Sequence, residues 1–302
     1  MILCTSSGWE VGSSHKHIGL DRCRARIRAG HQINCCDGRV SVTNIAQLRA
    51  LSAAIKPALA AGLCIEPSKN NLPKDATVLD PVASTTTLAR SLAWTARFVG
   101  VTTPTLVLVP ELDAPMVISA GDEPRLLVNK QLGSGFGLAQ LAFLGARYLC
   151  FLRPELVWRV AFETQERVAQ TLNFCVRFAN QGEEFWKQLE DDERKAAKRF
   201  ASYLQDDASL AAHLTNNFTG FEIDSTMFTE VAAAWSLAAD RAALRIGLLA
   251  CASPPSAWQL TTQMPHRGIM SLDDQLDEIA SFTISQGHQV LRQSLGLSTN
   301  GH

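Results

Sequence analysis

The segment LAQLAFLGARYLCFL, residues 138–152, constrains this chain more than any other. Wound as a helix it is apolar on nearly every side, and a single charge, Arg147, interrupts it. A membrane span needs about twenty consecutive apolar residues. A shorter run carrying an arginine is therefore expected as a central helix of a folded domain, covered by neighbours all round. A second apolar helix, expected over Met227 to Cys251, is interrupted in the same way by Asp240, Arg241 and Arg245.

Such helices need partners, and the flanking sequence supplies them. Leu88, Leu92, Ala93, Ala96, Val99 and Val101 recur at helical spacing, which predicts a helix ending at Gly100. Three short apolar stretches follow: TLVLV from Thr105, PMVIS from Pro115 and RLLVN from Arg125. Each is bounded by Pro, Asp or Gly and reads as a strand. Beyond residue 152 the pattern predicts a long helix from Pro154 to Ala179 and an amphipathic stretch with Phe185, Leu189, Ala196, Phe200 and Leu204. In that stretch Glu190 with Arg194, and Asp191 with Lys195, form a solvated face. A last helix is expected from Leu272 to Leu295. The fold class read from this order is α+β, mostly helical with a small three- or four-stranded sheet.

Upstream, residues 1–41 have no clear periodicity and read as a poorly ordered arm. Residues 42–72 read as a helix and linker: Ile45, Leu48, Leu51, Ile55, Leu59 and Leu63 share helical spacing, Pro57 kinks it, and the polar break from Pro67 to Pro73 separates it from an α+β domain over 73–302. No internal repeat indicates a solenoid.

Composition narrows function further. With 28 basic against 29 acidic residues, a net charge of −1, the chain lacks the basic surplus of a nucleic-acid binder that works by bulk charge. Its 46% hydrophobic content is incompatible with disorder of the whole chain. Eight cysteines in so long a chain, three of them (Cys150, Cys175, Cys251) within apolar helical patterns, suggest reduced thiols. With no secretory signal visible in the opening residues, this leads to an expectation of cytoplasmic placement and no membrane span.

Three groups of residues could carry chemistry. His15, His17, Cys23, His31, Cys35 and Cys36 are zinc-ligand types, but they do not form the two spaced pairs of a structural site. The loop Gly133-Ser-Gly135-Phe-Gly137 lies between a strand and a helix, where a phosphate could be cradled, yet it is neither GxGxxG nor a P-loop. His213, His266, His288 and His302 are scattered, and no GxSxG elbow is present. No metal or other cofactor is expected from these residues.

The order helix, three short strands, Gly-bearing loop and apolar helix resembles the core of the HtpX-like zinc metallopeptidases, a gluzincin fold. In that family the helix carries HExxH, whose two His hold zinc while the Glu activates the bound water. The resemblance sets Gly145 and Leu149 at the two His positions and Ala146 at the Glu. In SLAADRAALRIGLLACASPPSA, which resembles the family's later helix, it sets Ser236 at the third ligand and Asp240 at the supporting Asp. The helices around LAFLGARYLCFLRPE and ADRAALRIGLLAC, and the ending SFTISQGHQVLRQSLGL, are also similar to the peptidase-like C-terminal regions of large bacterial tetratricopeptide-repeat proteins. With His, Glu and ligand all replaced, the resemblance implies a pseudoenzyme: a non-catalytic metallopeptidase-like domain acting in protein interaction or scaffolding, with an unidentified protein partner. The alternatives are a zinc-dependent peptidase with altered ligands, and a nucleotide- or small-molecule-binding enzyme using Gly133–Gly137. If the two former site helices face each other, Arg147 and Asp240 are expected to pair across them, because a carboxylate in an apolar helix is rarely buried alone.

Overall fold

The computed structural model describes residues 75–81, 83–119, 125–153, 156, 158–161, 164–182, 184–189, 194, 212, 215–216, 225–264 and 268–297. The expected arm over 1–41 and the helix and linker over 42–72 lie outside them.

Strand β1 (Thr77–Leu79) leads into α1 (Thr87–Val99), and strands β2 (Thr105–Val109), β3 (Met116–Ser119) and β4 (Arg125–Asn129) follow. Thr86 starts α1 by accepting a hydrogen bond from the Ala89 N–H. Gly100 ends it at φ 83°, a left-handed conformation that only glycine adopts without strain, and donates to the Ala96 carbonyl. The four strands form one mixed sheet in the order β1-β2-β4-β3. β1 pairs with β2 and β3 with β4 antiparallel, whereas β2 and β4 run parallel, from Thr105 opposite Arg125 to Val109 opposite Asn129. Alternation along β3 and β4 buries Met116, Ile118, Leu126 and Val128, so these strands present one apolar face to the helices. The three stretches read as strands are strands; β1, three residues long and at the sheet edge, is an addition.

After a 3-10 turn (Lys130–Gly133), helix α2 (Leu138–Leu149) runs through the middle of the domain, and a second 3-10 turn (Cys150–Leu152) continues it. Its residues from Leu141 to Ala146 are consecutive and all buried, as expected of a helix covered on every side. Two glycines permit this. A Cβ on Gly145 would stand 2.6 Å from Thr95 Oγ1 and 2.9 Å from Leu92 Cδ2, so α1 lies directly on it. On the other flank a Cβ on Gly247, in α6 (Ser225–Cys251), would stand 2.9 Å from the Phe143 ring and 3.0 Å from the Phe143 carbonyl oxygen. The sheet, α1, α2 and α6 thus share one core.

The remaining helices differ from the sequence expectation at three places. The helix expected from Pro154 is instead a short α3 (Trp158–Ala161) and a separate α4 (Gln165–Gln181), because Thr164 turns extended and caps α4 by accepting from the Arg167 N–H. A short α5 (Glu184–Lys187) follows, with Phe185 buried. After α6, Ser253 and Pro254 start an unexpected α7 (Pro254–Gln263), with proline at the first-turn position where its missing N–H costs nothing. The expected last helix is two, α8 (Leu272–Ile284) and α9 (Gln286–Ser294). Ser285 divides them: it is extended, its hydroxyl donates to the Phe282 carbonyl, and it accepts from the His288 N–H. The fold is α+β, mostly helical with one small mixed sheet. Among the described residues no helix is long and apolar enough to cross a membrane.

Gly145→Ala is expected to destabilise the protein by about 1–3 kcal/mol, since the new methyl must displace Thr95 or Leu92 in a filled core. Chemical denaturation measures this, and an unchanged midpoint would show that α1 and α2 are not in close contact.

Candidate functional site

The four positions singled out by the resemblance, Gly145, Ala146, Leu149 and Ser236, are all interior. Ala146 and Leu149 have no exposed surface, Ser236 is buried in α6, and Gly145 is closed off by Thr95 and Leu92. The Thr95 hydroxyl at that contact is itself satisfied, donating to the Ser91 and Leu92 carbonyls at 3.0 and 2.9 Å. A histidine at 145 would have to place a whole imidazole where even a Cβ meets heavy atoms. Among the described residues, no three His, Cys, Asp or Glu side chains are gathered as a metal site.

The next turn of α2 opens onto a pocket. Phe143, Leu144, Arg147 and Tyr148 line one side of it; Asp240 and Ala243 of α6, Leu260 and Thr261 of α7, and Gln275 of α8 line the others. It is small, with a cavity volume of about 30 Å3, room for one or two waters, and it is partly open to solvent. Arg147 and Asp240 therefore do reach one place, as the two-helix argument predicted, but they do not pair. Asp240 is held by Arg159 of α3 in a fork, with Nε donating to Oδ1 at 2.8 Å and Nη2 to Oδ2 at 3.3 Å. Its Oδ2 also accepts from the Ile269 N–H at 2.8 Å. A carboxylate already engaged by a bidentate guanidinium and a backbone amide has no need of a second arginine. Arg147 instead donates through Nη2 to Gln275 Oε1 at 2.6 Å and lies 5.9 Å from the centre of the Phe143 ring. Burial lowers the Arg147 pKa, while Tyr148, Asp240 and Cys150 act to raise it; the group remains a cation at neutral pH.

Gln275 is fixed for this task. Its amide nitrogen donates to the Met270 and Ser271 carbonyls, which turns its carbonyl oxygen toward Arg147. The other two charged residues of α6 face elsewhere: Arg245 Nε contacts Glu278 Oε1 at 2.5 Å and its guanidinium lies over Phe282, while Arg241 reaches Glu278 Oε2 at 3.5 Å. The pocket wall thus carries one guanidinium, Arg147, and one carboxylate, Asp240, which is already paired with Arg159.

Other candidates from the sequence fall into place differently. Gly137 begins α2, and its N–H is taken by Gln140 Oε1 at 2.9 Å, so this amide of the Gly133–Gly137 loop is already satisfied. Cys150, Cys175 and Cys251 are free and buried. Burial pushes the Cys251 thiol up to about 11, leaving it a protonated packing group rather than a nucleophile. His288 is buried against Phe282 with Nδ1 3.2 Å from the Thr283 carbonyl, and burial lowers its pKa. His213, His266, His302 and the zinc-type residues between His15 and Cys36 lie outside the described residues.

Sequence reading missed Arg159, Thr261 and Gln275. Gln275 was findable: with Ile279 and Phe282 it sits on the buried stripe of α8, and a polar residue on an apolar stripe marks a partner or a site. Arg159 had no such signal, because its partner is 81 positions away.

Comparison with protein-family models, curated proteins and solved structures gives no match. The site is therefore read from its own geometry.

In a double-mutant cycle, Arg159→Ala and Asp240→Ala should be non-additive by roughly 1–3 kcal/mol, as residues sharing hydrogen bonds are. The Arg147→Ala and Asp240→Ala cycle should show the smaller coupling. The reverse ranking would return Asp240 to Arg147.

Proposed function

We propose that this protein is a non-catalytic, metallopeptidase-like domain that acts by binding, as a protein-interaction or scaffolding module. The observation that carries the reading is the closed contact at Gly145. Where the resembling peptidases hold a zinc-binding histidine, this chain has a glycine against which α1 packs, and a Cβ there would fall 2.6 Å from Thr95 Oγ1. Ala146 and Leu149 complete the same packed helix. The exchange of ligands for small and apolar residues trades a reactive centre for helix packing, which leaves surface recognition as the use of the domain.

The altered-ligand peptidase receives less support. Asp240, the carboxylate retained from the resemblance, spends its oxygens on Arg159 and Ile269. Zinc would have to displace both a guanidinium and an amide from it. For the nucleotide-binding alternative, the satisfied Gly137 amide removes one of the donors that a phosphate would use.

Metal analysis with a peptide-hydrolysis assay tests the reading. The full chain, with His15, His17, Cys23, His31, Cys35 and Cys36 all replaced by alanine, should carry only trace zinc and cleave no unstructured protein substrate. Stoichiometric zinc in that variant, or hydrolysis abolished by a chelator, would overturn it. Restoring the motif with Gly145→His, Ala146→Glu, Leu149→His and Ser236→Glu should give insoluble or unfolded protein, because four polar groups would enter a core with nothing arranged to orient them.

A further inference from the structure

The outer face of α1 differs from its inner one in more than exposure. Leu88, Leu92, Thr95 and Val99 turn into the core, whereas Arg90 and Arg97 are exposed and Trp94 lies partly buried between them. These three positions are spaced i, i+4 and i+7, so they form one stripe along the axis, with the two arginine Cα atoms about 10 Å apart at the helical rise per residue. α1 contains no Asp or Glu. Among the described residues neither arginine stands in a salt bridge. Arg97 is nevertheless held in place: its Nε donates to the Ala93 carbonyl at 3.3 Å, and its two terminal nitrogens have no partner among the described residues. Trp94 is fixed as well, its ring stacked on Phe98 with centroids 5.4 Å apart.

A helix face that serves only solubility mixes both signs of charge. This one carries arginine alone around a tryptophan, the residue types enriched at the centres of protein interfaces, where they supply most of the binding energy. Arg97 and Trp94 are oriented before any partner arrives, so little of their freedom is lost on docking. Charge complementarity defines the occupant. Two guanidinium groups with no carboxylate of their own call for two carboxylates at the same separation, and the indole between them calls for an apolar side chain. Residues 1–74 of the chain are a poor source, since their charged residues are mainly basic, with Arg22, Arg24, Arg26 and Arg28 in one stretch. On a facing helix the common rise sets the carboxylates seven residues apart. We propose that the outer face of α1 docks an acidic helix of another protein, with carboxylates seven residues apart on Arg90 and Arg97 and an apolar side chain between them on Trp94. This gives the partner chemistry of the interaction role proposed above and rests on that reading. Zinc content and hydrolysis decide that reading and peptide affinity decides this one, so the two fail separately.

The test is fluorescence anisotropy with the full-length protein and a labelled, alanine-based helical peptide carrying Glu at two positions seven apart and Leu four residues after the first. Matched peptides carry Gln or Lys in place of both Glu, and a single-stranded oligonucleotide of mixed sequence serves as a second polyanion. The Glu peptide should bind saturably, with half-saturation below about 1 mM at low salt. The Gln peptide should bind at least about threefold more weakly, and the Lys peptide not at all. Added salt should weaken the Glu peptide, because exposed pairs are screened. Replacing the peptide leucine by serine should cost about threefold or more through the lost contact with Trp94. Arg90→Glu combined with Arg97→Glu alters exposed side chains only. That variant should melt as the wild type does and exchange its preference, binding the Lys peptide and not the Glu peptide; Arg90→Gln combined with Arg97→Gln should prefer neither. No saturable binding of the Glu peptide, Glu and Gln peptides binding alike, an unchanged preference in either double variant, or an oligonucleotide bound more tightly than the Glu peptide would each overturn the proposal.

Discussion

The domain depends on how closely three helices can approach. The side chains at a contact set how near two helices can lie, and on both flanks of α2 the contact falls on a glycine, its own Gly145 against α1 and Gly247 of α6 against Phe143. Everything else follows from this central placement. The sheet can rest its apolar face on the same core, and the C-terminal end of α2, carrying Arg147, is brought to the point where α6, α7 and α8 converge.

That convergence sorts the charged residues of α6 by side. Asp240 turns toward Arg159 and the backbone at Ile269, while Arg241 and Arg245 turn toward Glu278 on α8. Each arrangement fastens a separate segment to α6. Neither partner set uses Arg147, whose guanidinium is held by the neutral Gln275 and the face of Phe143. Arg147 is thus a buried cation oriented by a neutral amide, and this distinguishes it from the neutralised pairs around it.

Much of the architecture was legible in the sequence, for reasons that are local. Strands β2, β3 and β4 lie where short apolar runs are bounded by turn residues, and α1 stops at the glycine able to turn left-handed. α2 declared itself by apolarity on nearly every side, and α6 by a long apolar run broken at Asp240, Arg241 and Arg245. The errors also have local causes. Periodicity continues smoothly across Ser285 and Thr164, and only the capping hydrogen bonds of those side chains show that the helix has ended and another begun. The site was half legible. The sequence brought Arg147 and Asp240 to the same place because both interrupt apolar helices, but opposite charges suggested a pair, and the competing Arg159 comes from a distant segment whose approach no spacing rule encodes. Thr261 was hidden for another reason: it lies in PPSAWQLTTQ, a stretch in which no helix was expected.

The contact between Phe143 and Gly247 bears on how the chain is made. α2 emerges from the ribosome early, already apolar on every side, whereas α6 is completed only after the whole stretch from Cys150 onward has been synthesised. Until then one flank of the most hydrophobic helix has no cover, and translation at about 5–20 residues per second leaves that surface open for several seconds. The contact that closes this flank of the finished domain therefore gives the nascent chain its stickiest interval, and places the demand for chaperone protection in the time before α6 arrives.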